Sequence, residues 1–301
     1  MAIIIDGKKV AEEIKLELKV RIDNVKNRTG KVPGLVAILV GDNPASQVYV
    51  SSKGKACNEI GMHSKVENLS ANISEKELIE HINYYNKDDN FHGILVQLPL
   101  PKHINEQKII ESIIPEKDVD GFHPVNVGNL VIGKDTFYPC TPYGIVELLK
   151  RYSIEIKGKH VVVVGRSNIV GKPIANMLLQ KKEGANAIVT VCHSAAEDLS
   201  RYTKDADVLI AAIGKENFIT ADMIKDGAVI IDVGINRVED KNSKKGYKIV
   251  GDVKFDEVEK KASYITPVPG GVGPMTIAML LKNTFLAFTK FLEKNYGFVI
   301  N

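Results

Sequence analysis

The chain has 301 residues, of which 44% are hydrophobic and 26% charged, with a formal charge of +3. That length suits two globular domains, and the small, dispersed positive charge offers no basic block for nucleic acid or a membrane surface. Cys57, Cys140 and Cys192 are odd in number and far apart, so no disulfide framework and no metal-ligand spacing is expected, and with neither signal- nor transit-peptide design in Met1–Lys9 the expected location is cytoplasmic.

Lys8 to Arg28 reads as an amphipathic helix, with Val10, Ile14, Leu18 and Ile22 at four-residue steps. Leu35 to Val40 is an apolar run ending at Gly41, the pattern of a buried strand. Asp42-Asn-Pro-Ala-Ser46 opens a second helix, which carries Tyr49 and Lys53 and stops near Gly61. Lys65 to Asn68 is a short strand. Ser74-x-x-Glu77 is a capping box before a helix through Tyr85. Gly93 to Gln97 is a third strand, closed by Leu98-Pro-Leu-Pro101 because proline cannot continue a central ladder. The first third is therefore an open α/β arrangement.

Residues 113–143 are rich in proline and glycine and read as a connector near a domain boundary, leading into a helix over 142–152. Strands are expected at 160–164, 187–191, 207–212 and 228–233, with helices at 171–182, 196–203 and 220–225, a second α/β unit of Rossmann type. A polar hairpin is expected over 236–250, then a glycine-rich loop over 266–274 and an apolar helix over 275–293. That helix contains Lys282 and Lys290 and is too interrupted to span a bilayer.

Val161 to Lys172 is strand, glycine turn and helix start, the arrangement that offers backbone N–H groups and a positive helix end to phosphate. The turn reads Gly165-Arg166-Ser167 with Gly171 following, which departs from G-x-G-x-x-G, and an ordinary tight turn remains an alternative. The next strand ends in Cys192-His193-Ser194 with no acid to take a ribose 2′-hydroxyl. Arg166 and a hydroxyl suit a 2′-phosphate instead, hence NADP. His193 has no ligand companion and reads as structural. Tyr49 and Lys53 share a helix face at i and i+4, giving a stacking ring beside an amine that sheds its proton more readily when taken out of water; a solvated lysine is the plainer alternative. Gln97 stands at a strand's carboxyl end and Asp120 on the connector. Each has a structural alternative, a satisfied strand-end amide and an Asx turn respectively. A Tyr-x-x-x-Lys pair also marks short-chain dehydrogenases, but there it follows the nucleotide turn, whereas Lys53 precedes Gly165.

Seven segments in order, Tyr49–Lys53, Val96–Pro101, Lys117–Gly121, Pro139–Pro142, Gly165–Gly171, Asp232–Arg237 and Thr266–Thr276, resemble the bifunctional methylenetetrahydrofolate dehydrogenase/methenyltetrahydrofolate cyclohydrolase family over nearly the whole chain. The resemblance implies an N-terminal open α/β folate domain over 1–140, with the helix 275–301 packing back on it. It also implies a Rossmann-type NADP domain over 141–274, with a cleft between the two. It implies catalytic roles for Lys53, Gln97, Tyr49 and Asp120, cofactor contacts at Gly165, Arg166, Ser167, Ser194 and Ile235, and further substrate contacts at Leu98, Pro269, Gly270 and Gly273. No metal is implied; the partners are tetrahydrofolate one-carbon derivatives and a second copy in a homodimer. The run Gln180–Asn186 is longer than the family pattern leads one to expect, which bears on Ser194. A dehydrogenase with one activity and a dinucleotide sensor without turnover are the competing readings; the sensor would need no Tyr/Lys/Gln group.

Overall fold

The computed structural model describes residues 1–240 and 246–299. In chain order its elements are β1 (Ile3–Ile4), α1 (Gly7–Thr29), β2 (Gly34–Val40), α2 (Pro44–Glu59), β3 (His63–Leu69), α3 (Glu75–Lys87), β4 (Gly93–Val96), α4 (Glu106–Ser112), α5 (Pro124–Val131) and α6 (Cys140–Arg151). There follow β5 (His160–Val164), α7 (Gly171–Leu179), β6 (Ile188–Cys192), α8 (Ser200–Thr203), β7 (Val208–Ala211), β8 (Val229–Asp232), β9 (Asn236–Glu239), β10 (Tyr247–Val250), α9 (Phe255–Val258), β11 (Tyr264–Ile265) and α10 (Val272–Tyr296). They divide into two compact units. Met1–Glu12, Leu130–Lys134 and Pro139–Thr276 form one, and Glu13–Asn129, Asp135–Tyr138 and Ile277–Asn301 the other.

The unit containing Glu13–Asn129 is built on a parallel three-stranded sheet in the order β3-β2-β4. All of β2 is buried, as its uninterrupted apolar run requires of a central parallel strand. β3 forms the edge, where Lys65 and Glu67 keep the open backbone from inviting another strand. α3 begins with the expected capping box: Ser74 Oγ accepts from Glu77 N at 3.2 Å and Glu77 Oε2 accepts from Ser74 N at 2.9 Å. Its Leu78, Ile82 and Tyr85 pack with Val36, Ile38, Ile94 and Val96 in one buried cluster. At the far end of α3 the buried Lys117 donates to the carbonyls of Tyr85 and Asp88, both at 2.8 Å, where a cation meets the exposed acceptors of a helix terminus. Lys117 O in turn accepts from Ile94 N at 2.8 Å, so residues 117–119 run parallel beside β4.

The other unit holds a six-stranded parallel sheet ordered β1-β11-β8-β7-β5-β6. Val161 to Val164 of β5 are fully buried. Counted from β5, the order is 2-1-3-4-5, the flavodoxin-like branch of the doubly wound folds, with β1 added at the far edge. The chain leaves β5 to one side for β6 and comes back on the other for β7. The crevice between the carboxyl ends of β5 and β7 is thus the topological switch point, where such sheets bind ligands.

The structure departs from the sequence-based expectation at several places. Ile3 and Ile4 pair in register with Tyr264 and Ile265, so Met1–Glu12 belongs to the same unit as Pro139–Thr276. Residues 113–143 are not all connector: α5 forms there, with Pro124 opening the helix where its missing N–H costs nothing. The short helix expected over 220–225 is a single 3-10 turn, Ala221–Met223. β9 and β10 pair antiparallel as the polar hairpin expected over 236–250 requires, while residues 241–245 of that span lie outside the described residues, as do 300 and 301 of the terminal segment. α10 has the length and apolarity of a membrane span, yet 61% of its most apolar window is buried inside the protein.

Candidate active site

Lys53 lies one turn after Tyr49 on α2. Its side chain is turned inward, leaving the residue 9% exposed, while Tyr49 stays 48% exposed. Lys53 Nζ donates to Gln97 Oε1 at 3.0 Å. Gln97 is the first residue past β4 and is tied to the sheet by its own N–H to Ile38 O at 2.9 Å. Its amide nitrogen donates to Leu98 O at 2.7 Å, which fixes which way the amide points and leaves the oxygen for the lysine. An oxygen acceptor holds the amine in either protonation state, since both carry N–H hydrogens. Of the structural alternatives, a solvated lysine is therefore excluded.

In the Lys117–Gly121 motif Asp118 holds the turn that follows. Asp118 is 2% exposed and accepts from Phe122 N at 3.2 Å, His123 N at 2.8 Å and Asn126 Nδ2 at 2.8 Å. Burial pushes its carboxyl above the usual range, against the pull of those hydrogen bonds. Asp120, two residues on, is half-buried. Because Asp118 pairs with Ile94, Asp120 and Gln97 emerge at the same carboxyl edge of neighbouring parallel segments.

In the other unit the site is made of backbone. Gly165 has φ +133°, and a Cβ there would lie 2.2 Å from Ala212 O. A Cβ on Gly171 would lie 2.2 Å from Gly165 O. The bend can thus be built only from glycine at both positions. Arg166 and Ser167 are exposed beside it. Ser167 Oγ accepts from Val170 N at 3.1 Å and Gly171 N at 3.3 Å, closing the entry to α7 and keeping its hydroxyl hydrogen for another acceptor. Val164 pairs with Cys192, and Gly165 N donates to Cys192 O at 2.8 Å. His193 and exposed Ser194 therefore stand beside the bend, and His193 Nδ1 accepts from Ala195 N at 3.3 Å as a turn residue. The long run Gln180–Asn186 does not displace Ser194, because it is taken up at the amino ends of the strands, where Asn186 O accepts from Gly158 N. These features fit a dinucleotide phosphate at the switch point.

Ile235 is 55% exposed, and its Cδ1 lies 4.0 Å from the Cβ position of Gly273. Pro269 is exposed, and Gly270, at φ +109°, gives its carbonyl to Lys8 N at 2.9 Å. Two features had no counterpart in the sequence reading: the loop Ala212–Gly214, which forms the far wall of the switch point, and Asp252. Gly214, two residues past the strand expected at 207–212, and Gly251-Asp252 directly after the expected hairpin were the signals in the sequence.

A switch point lined by forced glycines suits a dinucleotide, and an amine oriented by an amide suits proton transfer, which together define an α/β enzyme combining dinucleotide and acid–base chemistry. The family model for the catalytic domain of tetrahydrofolate dehydrogenase/cyclohydrolase matches residues 5–120, and that for its NAD(P)-binding domain matches residues 139–292. The chain belongs to the tetrahydrofolate dehydrogenase/cyclohydrolase family. It is 61% identical over 292 residues to the bifunctional protein FolD of Chloroherpeton thalassium, covering 96% of this chain and 99% of that one. Among solved structures, a Campylobacter jejuni bifunctional FolD is 54% identical with a TM-score of 0.92, covering 97% of this chain and 100% of that one. A Trypanosoma brucei methylenetetrahydrofolate dehydrogenase-cyclohydrolase complexed with NADP cofactor and inhibitor is 41% identical with a TM-score of 0.92, covering 97% and 98%.

Proposed function

We propose that this protein oxidises 5,10-methylenetetrahydrofolate to 5,10-methenyltetrahydrofolate with NADP and hydrolyses that product to 10-formyltetrahydrofolate. The observation that carries the reading is the buried Lys53 held at 3.0 Å by an oriented Gln97, in a chain of this family. NADP, when bound, supplies the hydride acceptor. Gly165, Arg166, Ser167, Ser194 and Ile235 are the residues that hold it, with Arg166 and Ser194 on the 2′-phosphate.

Loss of hydride leaves a methenyl cation whose bridging carbon water attacks. Lys53 takes a proton from that water as its oxygen bonds to the carbon and returns it to the folate nitrogen as the carbon–nitrogen bond breaks; the remaining hydroxyl proton passes to solvent as the formyl C=O forms, and the ring opens. Gln97 keeps the amine aimed through both transfers. Tyr49 offers its exposed ring to the aminobenzoyl group, Asp120 accepts from the amino edge of the pterin, and Leu98, Pro269, Gly270 and Gly273 line the folate. On this reading residues 1–140 with the C-terminal segment 275–301 serve folate, and 141–274 serve NADP. The protein works in the cytoplasm as a homodimer. The open edge of β6, where Ile188 is 63% and Val191 41% exposed, is the surface on which a second copy pairs.

A dehydrogenase with one activity is the second reading. A Saccharomyces cerevisiae structure described as an NAD-dependent 5,10-methylenetetrahydrofolate dehydrogenase is 26% identical with a TM-score of 0.76, and the intact Lys53–Gln97 pair favours two activities here. Purified protein mixed with methylenetetrahydrofolate and NADP should show the methenyl chromophore rise and then decay. A rise without enzyme-catalysed decay supports the second reading, and no rise refutes both.

A further inference from the structure

Two carboxylates buried in the dinucleotide unit have no place in the chemistry above. Asp232, the last residue of β8, is 2% exposed, and Asp252, just after β10, is fully buried. They share six hydrogen bonds and, among the described residues, form no ion pair. Asp232 Oδ1 accepts from Gly234 N and Asp252 N, both at 2.9 Å, and its Oδ2 accepts from Val253 N at 3.0 Å. Asp252 Oδ2 accepts from Ile213 N at 2.8 Å and Gly214 N at 2.9 Å, and its Oδ1 from Asn236 Nδ2 at 2.9 Å.

The two are also locked sterically. A Cβ on Gly234 would fall 2.3 Å from Asp252 Oδ1, and one on Gly251 would fall 1.8 Å from Asp232 Oδ2. Each aspartate thus fills the space that a side chain would need on the glycine beside the other. Neither glycine has a positive φ, so their requirement comes from contact, not torsion.

What the pair braces is the switch point. Asp252 turns the amides of Ile213 and Gly214 inward, and Ala212, the residue before them, sets its carbonyl against the Gly165 bend. Through Gly234 and Asn236 the same pair grips both neighbours of Ile235. We infer that Asp252, supported by Asp232, is a positioning residue for the dinucleotide: its carboxylate holds the 212–214 loop and the Ile235 turn in the shape that receives NADP. This rests on the reading that residues 141–274 bind NADP.

The hydrogen bonds make the two aspartates differ in what replaces them. In Asp252→Asn the amide oxygen can face Ile213 and Gly214, and the amide nitrogen can face Asn236 once that side chain flips to present its oxygen. In Asp232→Asn both carboxylate positions face backbone donors only, so the new NH2 meets an N–H wherever it turns. The test measures NADP affinity by titration, hydrolysis of methenyltetrahydrofolate without any dinucleotide, and thermal stability. Asp252→Ala should weaken NADP binding about tenfold or more, with hydrolysis within about twofold of wild type, and Asp252→Asn should restore most of the affinity. Equal NADP affinity in Asp252→Ala overturns the proposal, as does a parallel loss of binding and hydrolysis.

If Asp252→Ala does not fold, amide exchange in the wild type decides. Saturating NADP should slow exchange at Ile213 and Gly214, and unchanged rates there overturn the proposal. Wild-type protein that binds no NADP would instead refute the underlying reading, and this inference with it.

Discussion

The two units solve the problem of building a site in opposite ways. Around Lys53 the site is made of side chains. One amine is aimed by one amide, and the scaffold below, β2 with its buried core, would fold much the same without either. Around Gly165 the site is made of backbone. Its shape exists because side chains are missing at 165 and 171, and because buried carboxylates replace them at 234 and 251. Function and stability should therefore separate in the first unit and fall together in the second.

The largest expected effect sharpens that contrast. Lys53→Met should lower cyclohydrolase turnover by about 10²–10⁴-fold, the usual contribution of a positioned acid–base group. NADP affinity and thermal stability should stay near wild type, since the amine leaves a site with some solvent contact and Met keeps the stem. Hydrolysis at an undiminished rate would remove Lys53 from its role.

Gly165→Ala should show the reverse. The new methyl would meet the Ala212 carbonyl oxygen, a backbone atom that cannot swing away, at a φ that alanine avoids. Strain and overpacking together should cost about 4 kcal/mol of stability, measured by denaturant unfolding, along with NADP binding. A stable variant that merely loses NADP would show the bend to be more adaptable than its contacts imply.

How far each unit was legible in the sequence follows the same division. Local rules found local features: the Ser74–Glu77 capping box needs only three residues of separation, and Val161–Val164 announce a buried strand by themselves. Features stabilised from a distance were invisible. Ile3–Ile4 and Tyr264–Ile265 are strands of two residues that exist because each pairs along the sheet. α5 hides in a proline- and glycine-rich stretch, and its Asn126 is fixed by Asp118 and by Thr136 Oγ1 at 2.7 Å. The Lys53–Gln97 contact spans 44 residues, so helix spacing offered Tyr49 and Lys53, and only the family resemblance joined them to Gln97. Asp252 had no sequence signal beyond a glycine, because two of its three donors come from a loop 38 and 39 residues earlier.

A smaller effect probes the buried carboxylates by pH. Burial raises the Asp232 carboxyl from 3.8 to about 6, outweighing three backbone hydrogen bonds, with the nearby charge of Asp252 adding to the rise. The folded protein then holds a proton that the unfolded chain has released between about pH 4 and 6. Stability from this group is present below pH 4 and is lost as pH rises through 6, by at most about 3 kcal/mol. Carboxylates such as Glu67 and Asp207, held below their usual range by hydrogen bonds, act in the opposite sense, so the wild-type curve alone is a mixture. The difference in unfolding free energy between wild type and Asp232→Asn isolates the term. It should change across pH 4–6 and flatten above, whatever constant penalty the variant carries. A difference independent of pH would mean that Asp232 stays ionised throughout.

The smallest effect tests where the two kinds of site overlap. Arg166 is an exposed side chain mounted on the backbone-built bend, next to exposed Ser194 and with no carboxylate at the end of β6. A guanidinium there can contact a 2′-phosphate through paired N–H donors, a contact that NAD cannot offer. Because the side chain is exposed, its removal should leave folding intact and reduce the ratio of kcat/KM for NADP over NAD by about tenfold, or about 1.4 kcal/mol. The loss should appear in KM for NADP, with hydrolysis untouched, because the contact is made equally in the ground and transition states. An unchanged ratio would move the discrimination from this side chain to the backbone around it, and would make the dinucleotide unit a site of main-chain shape alone.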